Sequence, residues 1–398
     1  MIAFDTFDFS GHKVVMRVDF NVPLDKDYKV SDDTRIASAI KTIKKILADG
    51  GSVTLMSHLG RPKGGPEEKY SLKHILDALI SYLPDSSVKF VDDCINDEAF
   101  ETSKDLKSGE VLLLENLRFY KEEEAGDVDF AKKLAKHGDI YINDAFGTAH
   151  RAHASTATIA QFFDTDHKGF GYLMSAEVEN GNKILTRAES PVTAIIGGAK
   201  VSDKIQLLER LLDTMDHILI GGGMAYTFIA AQGGKIGKSL FEADHVQTAL
   251  DILAKAKEKN TQIYLPIDSV AASEFSATAE HKVLDSNDIP DGWMGLDIGP
   301  KAIEKYREVV LQSKTILWNG PMGVFEFEAF STGTFSIASA VAEATDEGAY
   351  SLIGGGDSVS AINQSGLDDK VSFVSTGGGA MLELLEGKEL PGIAAIKA

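Results

Sequence analysis

A chain of 398 residues with 43% hydrophobic content can bury large cores and is long enough for two or three domains. Its net charge of −20 argues against nucleic acid or an anionic membrane surface as a partner of the whole molecule, while leaving room for a local basic pocket. One cysteine, Cys94, excludes an intramolecular disulfide and fits a small buried hydrophobe in a reducing, cytoplasmic setting.

The start, Met1-Ile2-Ala3-Phe4-Asp5, has no basic region followed by an apolar stretch, so no secretory leader is expected. The first half then repeats one theme. Val14–Val18, Ser52–Met56, Val88–Val91, Val111–Leu114 and Asp139–Ile142 are short apolar runs, and helical patterns such as Ile36–Leu47 and Leu72–Leu83 lie between them. Alternating strand and helix signals with near-continuously apolar strands predict a parallel α/β sheet. The loops that follow the strands are the informative part: Asp19-Phe20-Asn21-Val22-Pro23, Ser57-His58-Leu59-Gly60-Arg61-Pro62, Glu115-Asn116-Leu117-Arg118-Phe119 and Asn143-Asp144-Ala145-Phe146-Gly147. Ligands of open α/β sheets sit outside the carboxyl ends of the strands. The chain has eight arginines against thirty-two lysines, and five of the eight (Arg17, Arg35, Arg61, Arg118, Arg151) fall in this half, close to predicted strand ends. Arginine is the side chain suited to bidentate capture of carboxylate or phosphate. His58, His150 and His153 sit near Arg61 and Arg151, which would repel a metal cation, so anion binding is the better reading of these histidines than a zinc site.

A helix is predicted from Tyr172 to Arg187, with Gly181 as its weak point, and the domain boundary is placed there. Pro191 to Lys204 follows: a β-branched strand, a Gly197-Gly198 turn, and a helix opened by Ser202-Asp203, with Lys200 and Lys204 on one helical face. Taken alone this reads more readily as a plain connection with two solvated lysines than as an anion site, although unpaired N–H groups at such a turn do favour anions. The second half continues with strands at Thr193–Ile196, His217–Ile220, Gln262–Leu265, Thr315–Trp318, Ala349–Ile353 and Val371–Ser375. Their ends carry glycine where the first half carries arginine and histidine, so backbone can approach a larger, phosphate-bearing ligand. The uncharged run His217–Gly234 is broken by glycines and reads as strand, turn and helix, not as a membrane span. A short helix is expected from Gly379 to Leu385, followed by a tail.

Two nucleotide signatures nearly occur. Gly237-Lys238-Ser239 lacks the first glycine of a P-loop, since position 232 is Gln232, and Gly221-Gly222-Gly223 is followed by Tyr226 where a dinucleotide fingerprint needs its third glycine. Gly354-Gly355-Gly356-Asp357-Ser358 is stronger: Asp357 is either a helix N-cap or a carboxylate near phosphate-bound Mg²⁺.

The motifs Arg17–Pro23, Ser57–Pro62, Glu115–Phe119, Ala149–His153, Gly197–Val201, Trp318–Gly323 and Ser375–Gly379, in this order along nearly the whole chain, closely resemble the phosphoglycerate kinase family. The stretch Ser175–Asn182 departs from the family pattern in being more polar and in carrying Gly181. The resemblance implies two Rossmann-like α/β domains, each with a parallel sheet flanked by helices, joined by a hinge helix. These would be an acceptor domain over 1–187 and a nucleotide domain over 188–385, with a tail over 386–398 packing back towards the first. It implies reversible transfer of the γ-phosphate of MgATP to the carboxylate of 3-phosphoglycerate, part of glycolysis, by a cytoplasmic monomer without nucleic-acid or membrane partners. Carried over residue by residue, Asp19, Phe20, Asn21, Arg35, His58, Leu59, Gly60, Arg61, Arg118 and Arg151 would bind 3-phosphoglycerate. Lys200, Lys204, Gly295, Asn319, Glu326, Gly355, Gly356, Asp357 and Ser358 would bind nucleotide, with Glu326 on the ribose and Asp357 on Mg²⁺. Arg35, Lys200, Gly356 and Gly378 would surround the phosphoryl group in flight.

The residues agree with that expectation. A carboxylate acceptor is already ionised at pH 7 and needs no base, which leaves positioning and charge neutralisation as the work of catalysis. Arg35, at the start of a helix with apolar face Ile36, Ala39, Ile40 and Ile43, opposes the helix dipole there; it is either a solvated first-turn side chain or a functional one. Two alternatives stand beside this reading. A kinase with a hydroxyl acceptor would need an Asp base, and a binding protein closing on an anion would show no turnover.

Overall fold

The computed structural model describes residues 3–398. The chain divides into two units, Met1–Glu179 with Glu389–Ala398, and Asn180–Lys388.

In the first unit the elements run β1 (Lys13–Arg17), α1 (Thr34–Ala48), β2 (Ser52–Met56), α2 (Leu76–Tyr82), β3 (Val88–Val91), α3 (Asp97–Asp105), β4 (Val111–Leu114), α4 (Lys121–Glu124), α5 (Val128–Leu134), β5 (Ile140–Asn143) and β6 (Lys168–Phe170). The strands form one parallel sheet in the order β3-β4-β2-β1-β5-β6. Registers Arg17↔Met56 and Arg17↔Asn143 bring three strand ends to one edge, so the loops after β1, β2 and β5 open together there. Val14, Met16, Val53, Leu55, Leu113 and Ile142 supply the core that α1 covers with Ile36, Ala39, Ile40, Ile43 and Ile46. The helix expected over Leu72–Leu83 is a 3-10 turn, Leu72–Ile75, followed by α2. Strand β6 has no counterpart among the expected strands.

Helix α6 (Tyr172–Thr186) starts in the first unit and ends in the second. Its first turn is capped by Asp144, which accepts the Met174 N–H at 2.9 Å while its other carboxylate oxygen has no hydrogen-bond partner. Burial pushes the Asp144 carboxyl up to about 7, against the lowering effect of the nearby Thr42 hydroxyl and the Met174 and Leu173 N–H groups. The helix runs unbroken through Gly181. A Cβ there would lie 2.6 Å from Leu384 Cδ2 and 3.4 Å from Met381 Sδ, so the glycine serves close packing and does not interrupt the helix.

The second unit continues with β7 (Val192–Ile196), α7 (Ile205–Leu211), β8 (His217–Ile220), α8 (Ala225–Ala231), β9 (Lys235–Ile236), α9 (Val246–Glu258), β10 (Gln262–Tyr264), β11 (Asp268–Ala272), β12 (His281–Asp285), β13 (Asp288–Ile289), β14 (Met294–Ile298), α10 (Pro300–Leu311), β15 (Thr315–Asn319), α11 (Thr332–Asp346), β16 (Tyr350–Ile353), α12 (Gly356–Gln364), β17 (Phe373–Val374) and α13 (Gly379–Leu385). A second parallel sheet, β10-β8-β7-β15-β16-β17, matches the expected strands, with the last reduced to two residues. Its core gathers Ile195, Leu219, Ile316, Trp318 and Ile353 with Ile337 and Val341 of α11. The antiparallel sheet β12-β11-β14 and the β13-β9 pair were not expected. Helix α7 begins at Ile205, after a turn closed by Lys204 N–H on the Val201 carbonyl at 2.8 Å. Lys200 therefore lies in a loop, and the shared helical face with Lys204 does not exist. Helix α14 (Pro391–Lys397) belongs to the first unit, where the Gly392 N–H donates to the Ala149 carbonyl at 2.8 Å. The α/β expectation of two parallel sheets flanked by helices is borne out.

Candidate functional site

In the first unit, the loops after β1, β2 and β4 interlock with the start of α1 at the carboxyl edge of the sheet. The Arg35 guanidinium pairs with the Asp19 carboxylate at 2.9 Å and is 39% exposed against 10% for Asp19, so the arginine reaches solvent from an anchored base. Asn21 Oδ1 accepts the Gly60 N–H at 2.7 Å, and Arg118 Nη1 donates to the Gly60 carbonyl at 2.9 Å. Arg61 and Arg151 are exposed. Phe20 and Leu59 are core side chains, so those positions can offer a ligand only main chain; the Phe20 N–H is itself taken by Ser57 Oγ at 2.8 Å.

Beneath these groups lies a residue that the sequence reading did not place in the site. Arg17 is wholly buried. Its Nε donates to Ser155 Oγ at 2.8 Å, its Nη2 lies 3.2 Å from His58 Nδ1, and its Nη1 donates to the Val18 carbonyl. Ser155 Oγ donates in turn to the buried Glu123 carboxylate at 2.6 Å, and the Ser155 N–H does so at 3.0 Å. A buried guanidinium is tolerated only when a counter-charge and hydrogen bonds replace water, and Glu123 with Ser155 supplies both. The sequence clue was the placement of Arg17 at a strand end; Glu123 of α4 and Ser155 of a later turn lie more than a hundred residues away.

The charge has a consequence for the histidines. Burial, then Arg17, Arg118 and Arg35, hold His58 well below its ordinary value. Burial, then Arg17, Arg118 and Arg151, bring His153 down to about 4. Both imidazoles are therefore neutral at pH 7, and neither adds to the positive charge that the guanidiniums bring to the edge. His153 Nδ1 is buried without a hydrogen-bond partner and lies 4.0 Å from Glu123.

In the second unit a cavity of about 370 Å³ opens beside Gly198, Gly222, Leu240, Phe275, Gly295, Glu326 and Asp357. A Cβ on Gly295 would fall 1.7 Å from Tyr226 Oη, so no larger residue fits that wall. Gly295, Glu326 and Asp357 line the cavity, whereas Lys200, Lys204, Asn319, Gly356, Ser358 and Gly378 lie outside its lining. Lys204 Nζ donates to Asn319 Oδ1, and Asn319 Nδ2 donates to the Gly354 carbonyl at 3.1 Å. Burial lowers the Lys204 ammonium, opposed by the charges of Asp203, Asp357 and Glu386. Ser358 Oγ accepts the Gly320 N–H. The N-cap of α12 is Gly355, with φ 90°, and Asp357 lies within the first turn instead of capping it. No other described residue hydrogen-bonds or pairs with the Asp357 carboxylate, which is exposed.

Comparisons with known proteins agree in one direction. The family model described as phosphoglycerate kinase matches residues 4–388. A phosphoglycerate kinase of Porphyromonas gingivalis is 52% identical, with all of both chains covered. A chloroplastic phosphoglycerate kinase of Volvox carteri is 51% identical over 98% of this chain and 84% of that protein. Among solved structures, phosphoglycerate kinase from Coxiella burnetii superposes with a TM-score of 0.90 at 39% identity, covering 100% of this chain and 98% of that one. The enzyme from Pyrococcus horikoshii gives 0.84 at 34%, with the same coverage. A family match over residues 4–388 and relatives about half identical over the whole length show that the chain belongs to the phosphoglycerate kinase family.

Proposed function

We propose a division of labour for the family's reaction, the reversible transfer of a phosphoryl group between ATP and the carboxylate of 3-phosphoglycerate that gives 1,3-bisphosphoglycerate and ADP in glycolysis. The 1–187 region takes 3-phosphoglycerate through Asp19, Asn21, Arg35, His58, Arg61 and Arg118 with Arg151, while Phe20, Leu59 and Gly60, whose main chain is engaged with Ser57, Asn116, Asn21 and Arg118, shape the pocket. The 188–385 region takes the nucleotide through Lys200, Lys204, Gly295, Asn319, Glu326 and Gly355–Ser358.

The observation that carries this reading is the guanidinium cluster of the edge, in which two groups that could otherwise act as bases are unfit for it: Asp19 is held by Arg35 at 2.9 Å, and His153, at about 4, is too weak a base to serve near pH 7. A hydroxyl acceptor would require one, and a carboxylate acceptor does not. In the step itself, a carboxylate oxygen forms the new P–O bond while the bond to the β,γ-bridging oxygen breaks, and the electron pair leaves with ADP. Arg35, Lys200 and the N–H groups of Gly356 and Gly378 neutralise charge spread over the phosphoryl oxygens. In-line transfer requires acceptor and nucleotide in near-attack range, so the proposal includes closure of one region on the other.

Asp357 fits a magnesium ligand. It is an exposed, unengaged carboxylate on the wall of the cavity, a hard oxygen donor of the kind that binds Mg²⁺ singly while phosphate oxygens and water complete the shell. Bound there, the ion would offset charge on the nucleotide phosphates. We further propose a cytoplasmic monomer, consistent with the buried lone Cys94 and with the absence of any described helix long and apolar enough to cross a membrane. A coupled assay of ATP turnover with 3-phosphoglycerate, with hydroxylamine trapping of the acyl phosphate, tests the reaction; no acyl hydroxamate would refute the carboxylate acceptor. Asp357→Asn should weaken MgATP far more than 3-phosphoglycerate in calorimetric titrations, and equal losses would remove its metal role.

A further inference from the structure

Asn116 is wholly buried and has no place among the ligand-binding residues above, yet its side chain ties its own loop after β4 to the long connection after β2, and both carry such residues. Its Nδ2 donates to the Leu59 carbonyl at 2.7 Å and to the Tyr70 carbonyl at 2.9 Å, and its Oδ1 accepts the Arg118 N–H at 3.0 Å. Both amide hydrogens are thereby used. The next links close a ring: Arg118 Nη1 donates to the Gly60 carbonyl at 2.9 Å, and the Gly60 N–H donates to Asn21 Oδ1 at 2.7 Å. Gly60 has φ 62°, and a Cβ there would lie 2.3 Å from the Tyr70 ring, so the turn that presents Arg61 is packed on the residue whose carbonyl Asn116 holds. The Asn116 main chain is fixed as well. Its N–H donates to Glu115 Oε1 at 2.7 Å, an oxygen that also accepts the Leu72 N–H at 2.7 Å, while Glu115 Oε2 accepts Ser71 Oγ at 2.6 Å.

We propose that Asn116 is a positioning residue for acceptor binding: its amide holds the Leu59-Gly60-Arg61 turn and Arg118 in one register, and through Gly60 it sets Asn21. The inference rests on the reading that Asn21, Arg61 and Arg118 hold 3-phosphoglycerate. An amide is needed because the site demands two donors and one acceptor in a plane. Asp has the same shape but puts a carboxylate against two carbonyl oxygens, and neither Asp nor Ala can hold both carbonyls.

The test compares Michaelis constants for the two substrates in the full chain, since the nucleotide acts as an internal control. Asn116→Asp should raise KM for 3-phosphoglycerate about tenfold or more, the scale of one lost buried hydrogen bond pair, and leave KM for ATP within about twofold. Asn116→Ala, which introduces no charge, should give the same split and decides the matter if the Asp variant does not fold. An acceptor KM within about twofold of wild type in a folded variant would overturn the proposal. A parallel rise in both constants, or failure of both variants to fold, would do so too, by showing a general structural role. Arg118→Ala separates the two layers of the argument. If it leaves acceptor KM unchanged, the reading of the binding site fails; if it weakens the acceptor while the Asn116 variants do not, only the positioning role fails.

Discussion

Replacing Asp144 by Asn should make the protein more stable above neutral pH. The carboxyl is wholly buried at the start of α6, with one oxygen accepting from Met174 at 2.9 Å and the other unpartnered. Its folded-state value is about 7 against an ordinary 3.8, so the fold prefers the protonated form. The sign follows directly. The stability is fully present below the unfolded value and is lost as pH rises through the folded one, reaching a loss of about 4 kcal/mol once both forms are ionised. Between pH 5 and pH 8 the loss is about 2.5 kcal/mol. Asn is close in shape to the protonated acid, can still accept from Met174, and does not titrate. Urea unfolding followed by far-UV circular dichroism is the suitable assay, because Trp293 and Trp318 both belong to the second unit and fluorescence would not see this site. The variant should exceed wild type by about 2–4 kcal/mol at pH 8, with the gap closing towards pH 4. Parallel pH profiles for the two proteins, or a variant less stable than wild type at pH 8, would refute the reasoning.

Arg35→Ala should lower kcat by roughly 10³-fold or more with ATP affinity unchanged, and Arg35→Lys should recover little; a drop below about tenfold at saturating substrates would take Arg35 out of the transfer step. Gly295→Ala should weaken nucleotide binding and spare 3-phosphoglycerate, because the new methyl meets Tyr226 Oη at 1.7 Å; calorimetry showing unchanged ATP affinity would count against the cavity as the nucleotide site. The imidazole resonances of His58 and His153 should not titrate between pH 5.5 and 8 in the free protein, since both are held below their ordinary range, and an NMR midpoint near 6.5 for either would contradict the charge distribution described.

The strands of both parallel sheets were readable because each is buried on both faces and therefore appears as an unbroken apolar run, as in Val111–Leu114. The same criterion missed β12, whose residues His281, Lys282 and Val283 are exposed, and β6, three residues long with a buried lysine. The Lys200–Lys204 helical face failed because a turn at Val201–Lys204 delays the helix to Ile205. Residues such as Arg35 and Asp357 could be singled out from local pattern, since each sits at a predicted helix start. Asn116, Glu123 and Ser155 could not be given roles, because those depend on partners 32 to 138 positions away. Neutrality of His58 was equally hidden: it follows from burial and three guanidiniums that meet only in the fold.

Gly181 bears on how the second unit can be adjusted. Leu384 and Met381 of α13 occupy the space where its side chain would be, and α13 starts from Gly378, the N-cap with φ 50°. The same stretch of α6 is held by the Lys183 ammonium 3.8 Å above the Tyr350 ring and by Tyr350 Oη donating to Asn180 Oδ1 at 2.7 Å. Side-chain volume at position 181 is therefore a spacer between two helices, one of which carries the Gly378 amide. A graded series of Ala, Ser and Val would shift α13 outward in steps set by van der Waals radii. That makes one buried position a calibrated handle on the proposed phosphoryl-binding loop, reached without altering any group that touches a ligand.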